Sequence, residues 1–168
     1  DRLEFLEQVC FGTEMAEIPV AGLLLFLHFR LHRGAVEAVK VIAGIGEPLA
    51  HPHLLEMVAR AKAQGLLVEL VTNGTLLEPK LARALVEAGL DLLWVSIDGT
   101  TPSSYNDVRG AQLQVVLDHL SGLYRLKREI GRFTPQLGLV FVAMKRNLTQ
   151  LPQLRRLARN VGAVRVMV

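Results

Sequence analysis

The chain has 168 residues, 51% hydrophobic and 21% charged, which is room for one domain with a substantial core and too apolar for a disordered tail. With 14 Gly and 7 Pro it is neither collagen-like nor of low complexity, and a single cysteine, Cys10, excludes a disulfide framework. The net charge of +3 conceals an asymmetry: 8 Lys/Arg stand against 14 Asp/Glu in residues 1–108 (net −6), and 11 against 2 in residues 109–168 (net +9).

The first third reads as two helices. Leu3, Leu6, Val9 and Cys10 recur at helical spacing, Ile18-Pro19 interrupts, and residues 21–32 resume with a nearly all-apolar surface. Cys10 reads as a small hydrophobe on a buried helical face. His28 and His32, one helical turn apart, read as a solvent-edge pair, because no third ligand for a metal lies nearby. The most apolar stretch, residues 20–29, is about half of the ~20 residues that a membrane-spanning helix needs. The start also lacks the basic and apolar regions of a signal peptide. A cytoplasmic protein without membrane contact is expected. Asp1 in place of Met suggests an excerpt of a longer chain.

From Glu37 onward the organisation becomes regular. Strands are expected over residues 39–43, 67–71, 92–97, 137–143 and 164–168, with helices over 53–64, 78–88, 111–130 and 149–161. Gly65, Gly89 and Gly162 serve as stop signals, Thr149 as an N-cap, and residues 100–110 as a loop. His51 and His53, flanking Pro52, read as loop and N-cap residues. Strands that are almost continuously apolar, separated by helices, describe an α/β fold with a parallel sheet covered by helices. The expected division is an N-terminal helical segment, 1–35, and a core of βα repeats, 36–168. Whether the sheet curls into part of a barrel or stays open, a ligand belongs at the carboxyl ends of its strands.

Polar residues gather at those ends. Gly44 and Gly46 let the backbone approach a ligand closely, and Glu47 before Pro48 is held extended. Exposed carbonyls beside a carboxylate suit an ammonium group. Thr72 and Asn73 offer hydroxyl and amide groups. Ser96 and Asp98 alternate along a strand and so point the same way, an arrangement that suits the vicinal hydroxyls of a ribose. Arg109 could pair with a ligand carboxylate. Lys145-Arg146-Asn147 closes the fourth strand. Taken together these groups complement an amino acid joined to a nucleoside.

In this order the motifs resemble the radical S-adenosylmethionine (radical SAM) superfamily. The resemblance runs from about Glu37 to Val168. Gly44-Ile45-Gly46-Glu47-Pro48-Leu49 followed by His51-Pro52 is similar to the family's Gly-Gly-Glu-Pro motif, with Ile45 in place of one glycine. Val71-Thr72-Asn73-Gly74, Val95-Ser96-Ile97-Asp98-Gly99 and Asn106-Asp107-Val108-Arg109-Gly110 match the motifs that follow. The resemblance implies a partial (βα)6 barrel with S-adenosylmethionine across the strand ends. Its amino group would rest on the Gly46–Pro48 backbone, with Gly44 also at the cofactor; Thr72, Asn73, Ser96, Asp98 and Arg109 would hold the remainder, with Met144 and Val166 near the adenine. It also implies a [4Fe–4S] cluster that reduces the sulfonium to give a 5′-deoxyadenosyl radical. The stretch Asn147 to Leu154 resembles members that mature peptides or cofactors.

One departure is large. The family holds its cluster on Cys-x-x-x-Cys-x-x-Cys upstream of the Gly-Gly-Glu-Pro motif, and here that region offers Cys10 alone. One thiolate cannot hold the cluster. The expected chain is therefore a radical SAM core whose cluster loop lies outside the sequence, inactive by itself, acting on an unknown peptide or small-molecule substrate. An exposed edge at the Val39 strand points the same way. The alternative is a cluster-less relative that binds a protein or RNA partner. Arg125, Arg128 and Arg132 on one helix and Arg155, Arg156 and Arg159 on another would be its footprint. Few aromatics stand near them to stack bases. A third possibility is a phosphate-binding βα barrel, for which Lys145-Arg146-Asn147 is a faint hint.

Overall fold

Among the described residues, six strands form one sheet in chain order: β1 (Leu23–His32), β2 (Ala35–Gly44), β3 (Leu67–Thr72), β4 (Leu92–Ser96), β5 (Gln136–Val140) and β6 (Arg165–Met167). Strands β2 to β6 run parallel, and β1 lies antiparallel to β2, with Leu23 opposite Gly44 and His32 opposite Ala35. The structure, a computed structural model, describes residues 23–32, 35–44 and 46–168. The crossovers carry α1 (Leu54–Ala63), α2 (Pro79–Glu87), α3 (Pro102–Arg109), α4 (Leu113–Glu129) and α5 (Leu151–Asn160). This is the expected α/β architecture of parallel βα repeats.

Alternation along the strands decides which face the helices cover. Val68 and Leu70, Leu93 and Val95, and Leu137 and Leu139 are two residues apart, so each pair shares a face. They are buried against Leu54 and Val58 of α1, Leu85 of α2, Val116 and Leu120 of α4 and Leu154 of α5. The opposite face carries Glu69, Trp94 and Gly138. Trp94 Nε1 donates to Glu69 Oε2 at 2.8 Å, and both side chains are buried. Gly138 faces Trp94 in the ladder, and a Cβ there would come within 2.3 Å of the indole ring. Glycine lets the ring lie flat across β5.

Several expectations are corrected. Residues 23–32 form a strand and not the end of a helix over 21–32. Leu27-His28-Phe29-Arg30-Leu31-His32 alternates apolar and polar with a period of two, a strand signature masked by the uninterrupted apolar run before it. His28 and His32 therefore do not share a helical turn; four residues of strand separate them by about 13 Å. The pairing covers the edge of β2 expected to be open and sets the anticipated boundary at residue 35 inside a pair of hydrogen-bonded strands. The helix expected over residues 3–10, with Cys10, lies outside the described residues.

The loop over 100–110 is mostly α3. Thr101 caps it: its hydroxyl accepts from Ser104 N at 3.3 Å, while Ser104 Oγ accepts from Thr101 N at 3.2 Å. Pro102 opens the helix, and Gly110, at φ 63°, ends it. Before α5, Thr149 lies within a 3-10 turn, Leu148–Gln150, and the helix begins after Gln150, not Thr149. Gln150 Oε1 accepts from Thr100 N at 2.7 Å and Ser104 Oγ at 2.9 Å, so it ties the start of α5 to α3.

Candidate functional site

The carboxyl ends of β2 and β3 meet around Glu47. Gly46 has φ 120°, and a Cβ there would point into open space, so its backbone faces outward unobstructed. Glu47 is extended at φ −118°, as its place before Pro48 dictates. Glu47 Oε1 accepts from Leu49 N at 3.0 Å and from the Thr72 hydroxyl at 2.5 Å. Its Oε2 accepts from Asn73 N at 2.8 Å. Thr72 Oγ1 in turn accepts from Gly74 N at 2.9 Å. Asn73 Oδ1 accepts from Thr75 N and Thr75 Oγ1 at 2.8 and 2.7 Å, which closes an Asx turn. The expected ammonium-binding carboxylate thus has three donors from within the chain, and what it chiefly does is lock two strand ends together.

The ends of β4 and β5 meet around Asp98, which is 3% exposed. Its Oδ1 accepts from Val142 N at 2.7 Å, and its Oδ2 pairs with Arg109 Nη2 at 2.5 Å. Asn147, 1% exposed, closes the joint from below. Its Nδ2 donates to Asp98 O at 3.0 Å and Val142 O at 2.9 Å, and its Oδ1 accepts from Met144 N at 2.7 Å. The Asp98 carboxylate, expected beside Ser96 as a ribose ligand, is instead turned into the β4–β5 joint. Arg109, expected on a ligand carboxylate, already holds Asp98 with one nitrogen.

Two donors at this second joint have no acceptor among the described residues: Tyr105 Oη and Arg109 Nε, both buried. They are four residues apart on α3 and so share one face of it. Gly99 makes the approach possible, since a Cβ there would come within 2.4 Å of Tyr105 N. Burial pushes the Tyr105 phenol above its ordinary value of 10.0; Arg109 pulls it down, and the carboxylates of Asp98 and Glu47 add to the rise. The phenol is therefore within electrostatic reach of both joints and is a neutral donor near pH 7.

The other expected residues fall around these joints. Ser96 ends β4, half-buried, in register with Val140. Gly44 ends β2 opposite Leu23. Met144 is half-buried beside Asn147. Val166, on the next strand, is 44% exposed and in register with Leu139. Pro48 is buried. Tyr105 and Asn147 carry roles that the sequence reading did not give them. The available signal was the Thr101-x-x-Ser104 cap, which would have turned the loop into a helix and put Tyr105 beside Arg109.

Two of the α4 arginines face different neighbours. Arg128 stacks over the Tyr124 ring at 5.9 Å, and that ring packs on Gly162, after α5. Arg125 lines a groove on the α2 side. Arg146 pairs with Asp107 at 3.1 Å, and Asn147 is buried, so the Lys145-Arg146-Asn147 run does not present itself as a phosphate cradle. No helix among the described residues is long and apolar enough to cross a membrane.

Comparison with known proteins agrees with this geometry. The chain is 35% identical over 127 residues to the tungsten-containing aldehyde ferredoxin oxidoreductase cofactor-modifying protein of Pyrococcus furiosus, covering 74% of this chain and 35% of that protein. It is 31% identical over 157 residues to the AdoMet-dependent heme synthase of Methanosarcina barkeri, covering 92% of this chain and 44% of the relative. It thus spans less than half the length of either. Among solved structures, Streptococcus suis SuiB bound to S-adenosylmethionine superposes with a TM-score of 0.60 at 13% identity, over 72% of this chain and 27% of SuiB. The likeness to SuiB is one of fold. The family model of the radical SAM superfamily matches residues 29–134, a span that holds the sheet from β2 to β4 and both joints' carboxylates. With that match over more than half its length, the chain belongs to the radical SAM superfamily.

Proposed function

We propose that the strand ends of β2 to β6 bind S-adenosylmethionine. The ammonium group rests on the backbone of Gly44 and Gly46–Pro48, where Gly46 leaves the surface open. Tyr105 Oη and Arg109 Nε donate to the carboxylate. The Asn73 amide and the Ser96 hydroxyl meet the ribose, with Met144 and Val166 beside the adenine. Glu47, Thr72 and Asp98 act as positioning residues, because their own polar atoms hold the two joints in place. The observation that carries this reading is the pair of buried donors on α3. A buried polar group without a partner costs about 1–3 kcal/mol, and an anionic ligand group offsets that cost for both at once.

The iron–sulfur cluster is a different matter. Cys10 is the chain's one cysteine, and among the described residues no group of three or more His, Cys, Asp or Glu could hold a metal. The residues of this chain do not fit a cluster, and no step through one is assigned to them. The whole polypeptide is proposed to be a radical SAM enzyme of cytoplasmic location that matures a peptide or a cofactor. Cofactor-related names of its relatives support this.

Calorimetric titration of the chain with S-adenosylmethionine tests the site. The expected dissociation constant lies between about 10 µM and 1 mM. Tyr105→Phe should weaken it about threefold to tenfold while leaving decarboxylated S-adenosylmethionine unaffected. Absence of heat up to about 5 mM ligand in the folded chain overturns the proposal. Equal losses for both ligands remove Tyr105 from the carboxylate.

A further inference from the structure

A second concave feature lies on the helical side of the sheet. Between α2 and α4 runs a groove of about 450 Å³ with an apolar floor of Leu77, Leu123 and Leu126. Lys80 and Arg83 line one wall and Arg125 the other; Glu129 is the one carboxylate among its lining residues. The cations therefore outnumber the anion three to one. Arg83 also approaches Glu87, at 4.0 Å, one turn further along α2.

Gly122 points to the groove's use. It sits in the middle of the seventeen-residue helix α4, where glycine weakens the helix relative to alanine. A Cβ there would meet nothing within 4 Å, so no contact within the described fold requires glycine. Yet Gly122 lines the groove. A residue that disfavours its own helix and leaves room in a groove permits close approach by something outside the fold.

We propose that this groove docks an acidic amphipathic helix of a separate protein. The apolar stripe of the incoming helix packs on Leu77, Leu123 and Leu126, and its carboxylates lie between Lys80 and Arg83 on one side and Arg125 on the other. The charge of the walls selects an acidic partner. The walls are helices whose backbone groups are already paired, so an extended strand finds no edge to join, whereas a helix brings its own hydrogen bonds. No Phe, Tyr or Trp lines the groove, which leaves nothing for nucleic-acid bases to stack on. The proposal is independent of the S-adenosylmethionine reading.

The test is fluorescence anisotropy of the full chain with a labelled synthetic peptide of about 18 residues, leucines along one helical face and glutamates along the other. Binding is expected with a dissociation constant of about 1–100 µM, weakening as salt rises. A scrambled peptide of the same composition should bind at least about tenfold more weakly. Gly122→Leu, which fills the floor, and the pair Lys80→Glu with Arg125→Glu should each weaken binding by a similar factor. Gly122→Ala should raise Tm by about 2–4 °C, which separates loss of docking from loss of fold. Equal binding of the scrambled peptide, or unchanged affinity in folded Gly122→Leu, overturns the proposal. So does tighter binding of polyuridylate or phosphatidylglycerol vesicles through the same cations, or a self-association that Gly122→Leu abolishes.

Discussion

Between β2 and β3, the Glu47 carboxylate receives two amide protons and one hydroxyl proton, and all three donors are neutral. Between β4 and β5, the Asp98 carboxylate is buried more deeply, receives one amide proton and a guanidinium, and stands beside two buried donors without acceptors. The first joint is a closed set. It shapes the backbone at Gly46, and a ligand there can meet only what the backbone offers. The second joint keeps two donors unused, Arg109 Nε and Tyr105 Oη. Its charge pair is also what makes it costly to break: a carboxylate 4% exposed is tolerated only while its cation stays in place.

Breaking the second joint should have the largest effect. Asp98→Ala leaves the Arg109 guanidinium, 28% exposed, without its counter-ion and Val142 N without its acceptor. A loss of about 3–5 kcal/mol in urea denaturation is expected. The first joint should yield less. Glu47→Gln keeps one acceptor oxygen but sets its NH2 against a backbone N–H, so one of the three bonds is lost and the others lose their charge assistance, for a loss of about 1–2 kcal/mol. Equal losses for the two variants would erase the distinction between the joints.

The smallest effect sharpens the comparison. Tyr105→Phe removes a buried hydroxyl without a partner and should raise stability by about 1 kcal/mol at neutral pH, the low end of the cost of such a group. The folded phenol titrates above its ordinary value of 10.0 because burial disfavours the phenolate. Its contribution to stability is therefore complete below that value and is lost as pH rises through the higher folded value. The urea midpoint of the parent chain should fall over that alkaline range, and Tyr105→Phe should fall less. Parallel curves would mean that the phenol is not shielded as described.

Much of the candidate site was legible as a set of strand ends because the signals are local. A glycine before Glu47-Pro48, Thr72-Asn73 after an apolar run, and Ser96-x-Asp98 at a strand end can each be placed by periodicity and turn chemistry alone. Less legible was which of these polar atoms face a ligand. Glu47 and Asp98 look like ligand groups in the sequence because each follows a strand. The structure gives both to neighbouring strands, since adjacent parallel strands bring Asn73 N and Val142 N within reach of them.

The amino-acid sequence by itself determined the alternation of apolar strands with helices, hence the parallel sheet from β2 to β6 and the end of it that carries the polar residues. Only the tertiary structure decided that residues 23–32 add an antiparallel strand, since an apolar run of that length satisfies either a helix or a strand until a neighbour supplies its hydrogen bonds. Likewise, only folding sets Tyr105 and Arg109 beside Asp98 and Asn147 beneath it. Those partners are up to 49 residues apart in the chain, and burial, which no local pattern reports, is what makes their unpaired donors matter.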